Sequence, residues 1–88
     1  MKEKEIEKIF KALANRRRIS IVGFLKSKKI ASVGGIAHHI KLSFRSTSKH
    51  LLILSGANII EKEQVGPTVN YYLVESPHAI VKKLLELL

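Results

Sequence analysis

Thirteen residues in the middle of the chain, Leu42 to Leu54, constrain its fold more than any other stretch. They read Leu-Ser-Phe-Arg-Ser-Thr-Ser-Lys-His-Leu-Leu-Ile-Leu. Ser43 suits a helix N-cap, because its hydroxyl accepts a hydrogen bond from a free backbone N–H of the first turn. Thr47, His50, Leu51 and Leu54 then recur at helical spacing and should face a core. The opposite face carries Phe44, Arg45, Ser48 and Lys49, with Ser46 at the border and no acid. A helix packed behind and lined in front by Arg, Lys and hydroxyls has the make-up that insertion into a DNA major groove requires.

The charge layout points the same way. The formal charge is +9, and between Lys8 and Ile60 there are eleven Lys or Arg residues and no Asp or Glu. The acids sit toward the two ends, at Glu3, Glu5 and Glu7 and then at Glu61, Glu63, Glu75 and Glu86. A basic middle should attract a polyanion in a salt-dependent way. No stretch combines a basic face with a strongly apolar one as membrane anchors do, and none approaches the length of a span. Together with an acidic-basic N-terminus unlike a signal peptide, this leads us to expect a cytoplasmic protein with no membrane partner. Without cysteine, the chain has no disulfide, thiolate metal site or Cys nucleophile.

Along the chain, apolar spacing predicts a first helix over residues 2–13, with Ile6, Ile9, Phe10 and Leu13 on one stripe. Asn15 caps a second helix running to about Lys26, with Ile19, Val22 and Leu25 inward and Ile21 broadening the line. Gly23, in its interior, marks either close helix packing or simple tolerance. Ser32 caps a third helix to about Ile40, with Val33, Ile36, Ala37 and Ile40 inward. Lys41 and Leu42 make a tight turn, and the fourth helix runs to about Ser55, where Gly56 is suited to stop it. The period then shifts toward two, over Ile59 to Gln64 and Val69 to Val74, joined by the turn-rich Val65-Gly66-Pro67-Thr68. Ser76-Pro77 restarts a helix, Pro77 being suited to a first helical position.

The predicted order is helix, helix, helix, helix, hairpin, helix: a mainly α chain with a small β-hairpin, forming one winged helix-turn-helix domain over residues 1–88. At 88 residues such a domain buries a marginal core, and the greasy run Ile80 to Leu88 reads as a partner surface that would add burial.

Three segments resemble the ArsR-type bacterial and archaeal transcriptional repressors. Phe10-Lys11-Ala12-Leu13-Ala14-Asn15-Arg16-Arg17-Arg18-Ile19-Ser20-Ile21-Val22 is similar to the family's approach to its second helix. Leu42-Ser43 through Ser48-Lys49-His50-Leu51 resembles its recognition helix. Gly56-Ala57-Asn58-Ile59-Ile60, leading to Val69-Asn70-Tyr71-Tyr72-Leu73, resembles its wing. The resemblance implies a homodimer built from terminal helices 2–13 and 77–88, bound to an inverted-repeat operator in double-stranded DNA and blocking transcription. Interface residues would come from Ile6, Ile9, Phe10, Ile80, Val81, Leu84, Leu85 and Leu88.

On the DNA side, Arg45 and Lys49 lie four apart and project together, suited to a guanine edge and to a base or phosphate. Ser43, Ser46 and Ser48 can bond phosphates or bases. Phe44 stands where the family usually has a polar residue, and either touches a thymine methyl or packs across the turn. By resemblance Arg18 has a structural role, while Arg16 and Arg17 either meet phosphate or stay solvated. The wing tip has no Arg, so Lys62 and Asn70 are the nearest candidates for the minor groove.

Metal sensing, common in that family, does not fit these residues. The family's thiolate pair would fall at Ser32 and Gly34. The last helix offers only His78 and Glu86, with Glu75 just before it. The adjacent His38 and His39 point about 100° apart on a helix. His50 reads as a half-buried packing residue bonded to backbone. No metal or cofactor is therefore expected, and any small-molecule or protein effector is undetermined. Catalysis is not expected either. Ser46-Thr47-Ser48-Lys49 matches a Ser-x-x-Lys pattern without its companion motifs. There is no phosphate-cradling Gly-rich loop and no paired buried carboxylate. The competing reading is a protein-interaction module that docks a partner through its wing and last helix and binds DNA only non-specifically. Structured RNA ranks lower, because the fourth helix has a single exposed aromatic, Phe44.

Overall fold

The computed structural model describes residues 2–88. Five helices, α1 (Lys2–Leu13), α2 (Arg16–Lys28), α3 (Val33–Ile40), α4 (Phe44–Gly56) and α5 (Ala79–Leu87), accompany a small sheet of β1 (Ala31–Ser32), β2 (Ile60–Val65) and β3 (Thr68–Leu73). The fold is a winged helix-turn-helix, mainly α, as the sequence predicts.

Local chemistry explains most boundaries. The Asn15 side chain accepts from the Arg18 N–H, Ser32 from Gly35 and Ser43 from Ser46, so three of the helices begin on the expected caps. The two helix ends flanking the recognition element share one device. Lys41 adopts φ 57° while the Leu42 N–H donates to the Ala37 carbonyl and the Lys41 N–H to that of His38. Asn58 adopts φ 58° while Ile59 N–H donates to Leu54 and Asn58 N–H to Ser55. Both are left-handed caps of the Schellman type. The stop of α4 is therefore Asn58, not Gly56, which is still helical. Asn tolerates this conformation and does what glycine does elsewhere.

The start of α5 also differs from expectation. Pro77 lies outside the helix, and His78 caps it, Nδ1 accepting from the Ile80 N–H at 3.1 Å. The hairpin turns through Gly66-Pro67. Gly66 has φ +60° and proline fixes a negative φ after it, the pattern of a type II′ turn. The sheet order is β1-β3-β2, all antiparallel. β1 escapes sequence reading because its two residues, Ala31 and Ser32, are strand only by pairing with Tyr71 and Asn70 of β3.

One apolar cluster joins all five helices and the base of the wing. It includes Ile9, Ile21, Leu25, Ile36, Leu51, Leu54, Ile59 and Val81. In α2 it is Ile21, rather than Ile19, that goes fully inside. Along α1 only Ile9 and Ala12 are buried, and Phe10, on the expected inward stripe, is 55% exposed. A Cβ on Gly23 would come no nearer than 3.9 Å to Leu88, so tolerance, not close packing, explains that glycine. Among the described residues no helix is long and apolar enough to cross a membrane.

Candidate nucleic-acid interface

The helix-turn-helix is α3, the three residues Lys41 to Ser43, and α4. α4 is held from behind by Thr47, Leu51 and Leu54, all fully buried. His50 also faces inward but is only half-buried, and its partner is not backbone. Its Nδ1 lies 3.2 Å from an Arg18 guanidinium nitrogen. The same guanidinium donates to the carbonyls of Ala12 and Lys11 in the last turn of α1. Arg18 thus ties the end of α1 to the middle of α4, the structural role that the resemblance implies. Burial, then the charges of Arg18 and Arg17, push the His50 pKa below its ordinary value.

The front of α4 is free. Arg45 and Lys49 are exposed on the side opposite the core, as are Ser43 and Ser46, while Ser48 is partly covered. Phe44 is 64% exposed, so most of its ring is open to solvent. It rims a cleft of about 240 Å³ shared with Ser32, Val33 and Gly34 and with Pro67, Thr68 and Val69 of the wing. Two residues that the sequence reading passed over extend this face: Leu52 and Ile53, both exposed. A search for polar donors overlooks them, although at 100° per residue Leu52 projects between Arg45 and Phe44.

Arg16 and Arg17 are exposed at the start of α2. They line an open cleft of about 560 Å³ with Asn15, Ser20, His39, Ile40 and Lys41. Three cations therefore gather where the start of α2 meets the turn of the helix-turn-helix. Lys41 was missed because it reads as a turn residue, and only the fold sets it beside Arg16 and Arg17.

The wing separates its two candidates. Residues paired across an antiparallel ladder share a face. Asn70 pairs with Glu63, and Lys62 with Tyr71, so the two lie on opposite faces. Asn70 sits on the side of Glu61 and Glu63, a poor surface for DNA, which leaves Lys62 as the wing cation.

The expected partner surface is divided. Ile9 and Val81 belong to the chain's own core and are unavailable to a second subunit. Phe10 and Leu88 are exposed, and Ile6, Ile80, Leu84 and Leu85 are half-buried. Lys26 of α2 reaches the far end of α5, its Nζ donating to the carbonyls of Leu85 and Leu88. His78 turns its Nε2 toward Glu5 of α1 at 3.8 Å. Phe24 stacks on His39 with ring centroids 4.2 Å apart. Among the described residues no three His, Asp or Glu side chains are grouped to hold a metal ion.

No family model matches the chain, and no curated protein matches it in sequence. Its structure, however, is similar to solved ones. HlyU from Vibrio cholerae, in its reduced form, is 29% identical with a TM-score of 0.82, over 98% of this chain and 86% of that one. The transcriptional regulator HlyU from Vibrio vulnificus is 28% identical with a TM-score of 0.77, over 98% and 85%. The homodimeric winged helix-turn-helix DNA-binding domain of Mb0332 from Mycobacterium bovis, a possible ArsR-family transcriptional regulator, is 25% identical with a TM-score of 0.82, over 96% and 74%. The chain is thus a winged helix-turn-helix protein whose relatives in structure are HlyU-type and ArsR-family transcriptional regulators.

Proposed function

We propose that residues 1–88 form one DNA-binding domain, a cytoplasmic transcriptional repressor that binds an inverted-repeat operator as a homodimer. The observation that carries this reading is α4. Its rear is locked by Thr47, Leu51 and Leu54, while its front offers Arg45 and Lys49 with no acid on the helix. Arg45 and Lys49 read base edges, and Ser43, Ser46 and Ser48 bond phosphates or bases. The Ser43 oxygen already accepts from Ser46 N–H, which leaves its own proton free to donate. Arg16, Arg17 and Lys41 neutralise the flanking phosphates, and Lys62 serves the wing.

Dimerisation through α1 and α5 would cover Phe10, Leu84 and Leu88 and set two copies of α4 about 34 Å apart, one turn of duplex. A homodimeric relative of the same fold supports this arrangement. The chain has no cysteine, so a repressor of this make-up does not sense metals through thiolates.

Selection of bound duplexes from a random pool, at two salt concentrations, tests the proposal. An enriched inverted repeat with half-sites one helical turn apart, bound less tightly at the higher salt, is the expected result. Salt-sensitive binding without an enriched motif would defeat it and favour the protein-interaction module.

A further inference from the structure

On α4, Leu52 is 73% exposed and Ile53 45% exposed, and no packing within the chain accounts for either. Leu52 lies three residues beyond Lys49 and seven beyond Arg45, on the helix face turned away from Thr47 and Leu54. A leucine set among cations suits a surface that is anionic overall but carries isolated apolar points. The cores of protein–protein interfaces, by contrast, are depleted in lysine. In the major groove the apolar point is the C5 methyl of thymine.

We propose that Leu52 is a specificity-determining residue that packs on a thymine methyl of the operator. The proposal rests on the reading of α4 as the helix in the major groove. It also fixes a spacing. Seven residues of helix span about 10 Å, or about three base-pair steps for a helix lying along the groove. The thymine therefore stands about three base pairs from the guanine met by Arg45.

Deoxyuridine differs from thymidine by that methyl alone, which makes the test direct. On the enriched half-site, each thymine is replaced by deoxyuridine in turn and binding is measured at fixed salt. Wild type should weaken about fourfold at one position, the worth of one buried methyl group. Leu52→Ala should bind the unmodified duplex about as weakly as wild type binds the substituted one, and should ignore the substitution at that position. Leu52→Met, which keeps apolar reach, should retain the dependence. Because Leu52 is exposed, both variants should unfold at the wild-type temperature.

A specific operator with no methyl-sensitive thymine would overturn the assignment, as would equal sensitivity in wild type and Leu52→Ala. Both results leave α4 as a DNA-reading helix. Failure to enrich any sequence would instead overturn that reading and this assignment with it, and Leu52 and Ile53 would then form a face for a protein partner.

Discussion

Arg18 and His50, 32 residues apart in the chain, meet at 3.2 Å between a guanidinium nitrogen and the imidazole Nδ1. The contact joins the first turn of α2 to the rear of α4. The same guanidinium bonds the carbonyls of Lys11 and Ala12, so a single side chain links the end of α1 to the helix that carries Arg45 and Lys49.

Removing the guanidinium should be costly. Arg18→Ala leaves the carbonyls of Ala12 and Lys11 and the imidazole of His50 without their donor. We expect a loss of about 2 kcal/mol in unfolding free energy, read by urea denaturation. Arg18→Lys should recover little, because one ammonium cannot reproduce the planar fork. Full stability in the lysine variant would show that charge alone matters.

The His50 contact has a definite pH signature. Its folded-state pKa lies below the unfolded value, through burial and then through Arg18 and Arg17. The unfolded chain therefore takes up this proton first. The associated stability is complete above about pH 6.5 and is lost as the pH falls from there through the folded-state value. Thermal unfolding of wild type should move to lower temperature as the pH falls through this window. His50→Gln should show a shallower dependence over the same window, and an equal slope in both proteins would remove His50 as the source.

Thr47 is fully buried, and its hydroxyl is a buried side-chain polar atom without a hydrogen-bond partner. Thr47→Val replaces that hydroxyl by a methyl of similar shape. It should stabilise the protein by about 1 kcal/mol. A destabilised variant would mean that the hydroxyl is satisfied in solution, the Ser43 carbonyl one turn back being the natural acceptor.

Gly23 lies inside α2 with room for a side chain. Gly23→Ala should raise stability by about 0.5–1 kcal/mol, seen as a higher melting temperature. A lower one would indicate that another subunit approaches the α2 backbone at this point.

The proposed dimer is best tested at Phe10, which is 55% exposed and so dispensable for folding of the subunit. Phe10→Glu should sediment as a folded monomer and lose tight operator binding. An unchanged mass would place the interface elsewhere. Leu84 and Leu85 are less clean probes, since both also pack on the chain's own core.

What could be read from the sequence follows from the range over which each signal acts. The caps at Asn15, Ser32 and Ser43 are settled within three residues, and the buried line Thr47, Leu51, Leu54 within two turns. All are legible from spacing alone. β1 and the Arg18–His50 contact depend on partners thirty to forty residues away, which periodicity does not encode. The stripe on α1 illustrates the same limit. Spacing groups Ile9 with Phe10, but only packing decides that Ile9 is covered and Phe10 is not. At the candidate interface Arg45, Lys49 and the serines were visible because their chemistry matches nucleic acid. Leu52 was not, because an apolar side chain at helical spacing is ordinarily assigned to a core.

The order β1-β3-β2 leaves the sheet with two edges, and neither invites another strand. One edge is only Ala31 and Ser32, too short to template a ladder. The other, β2, runs Glu61-Lys62-Glu63 through its middle, and such alternating charges discourage edge-to-edge pairing. Strand exchange between copies is thereby discouraged, which agrees with a proposed dimer that joins through helices and not through its sheet.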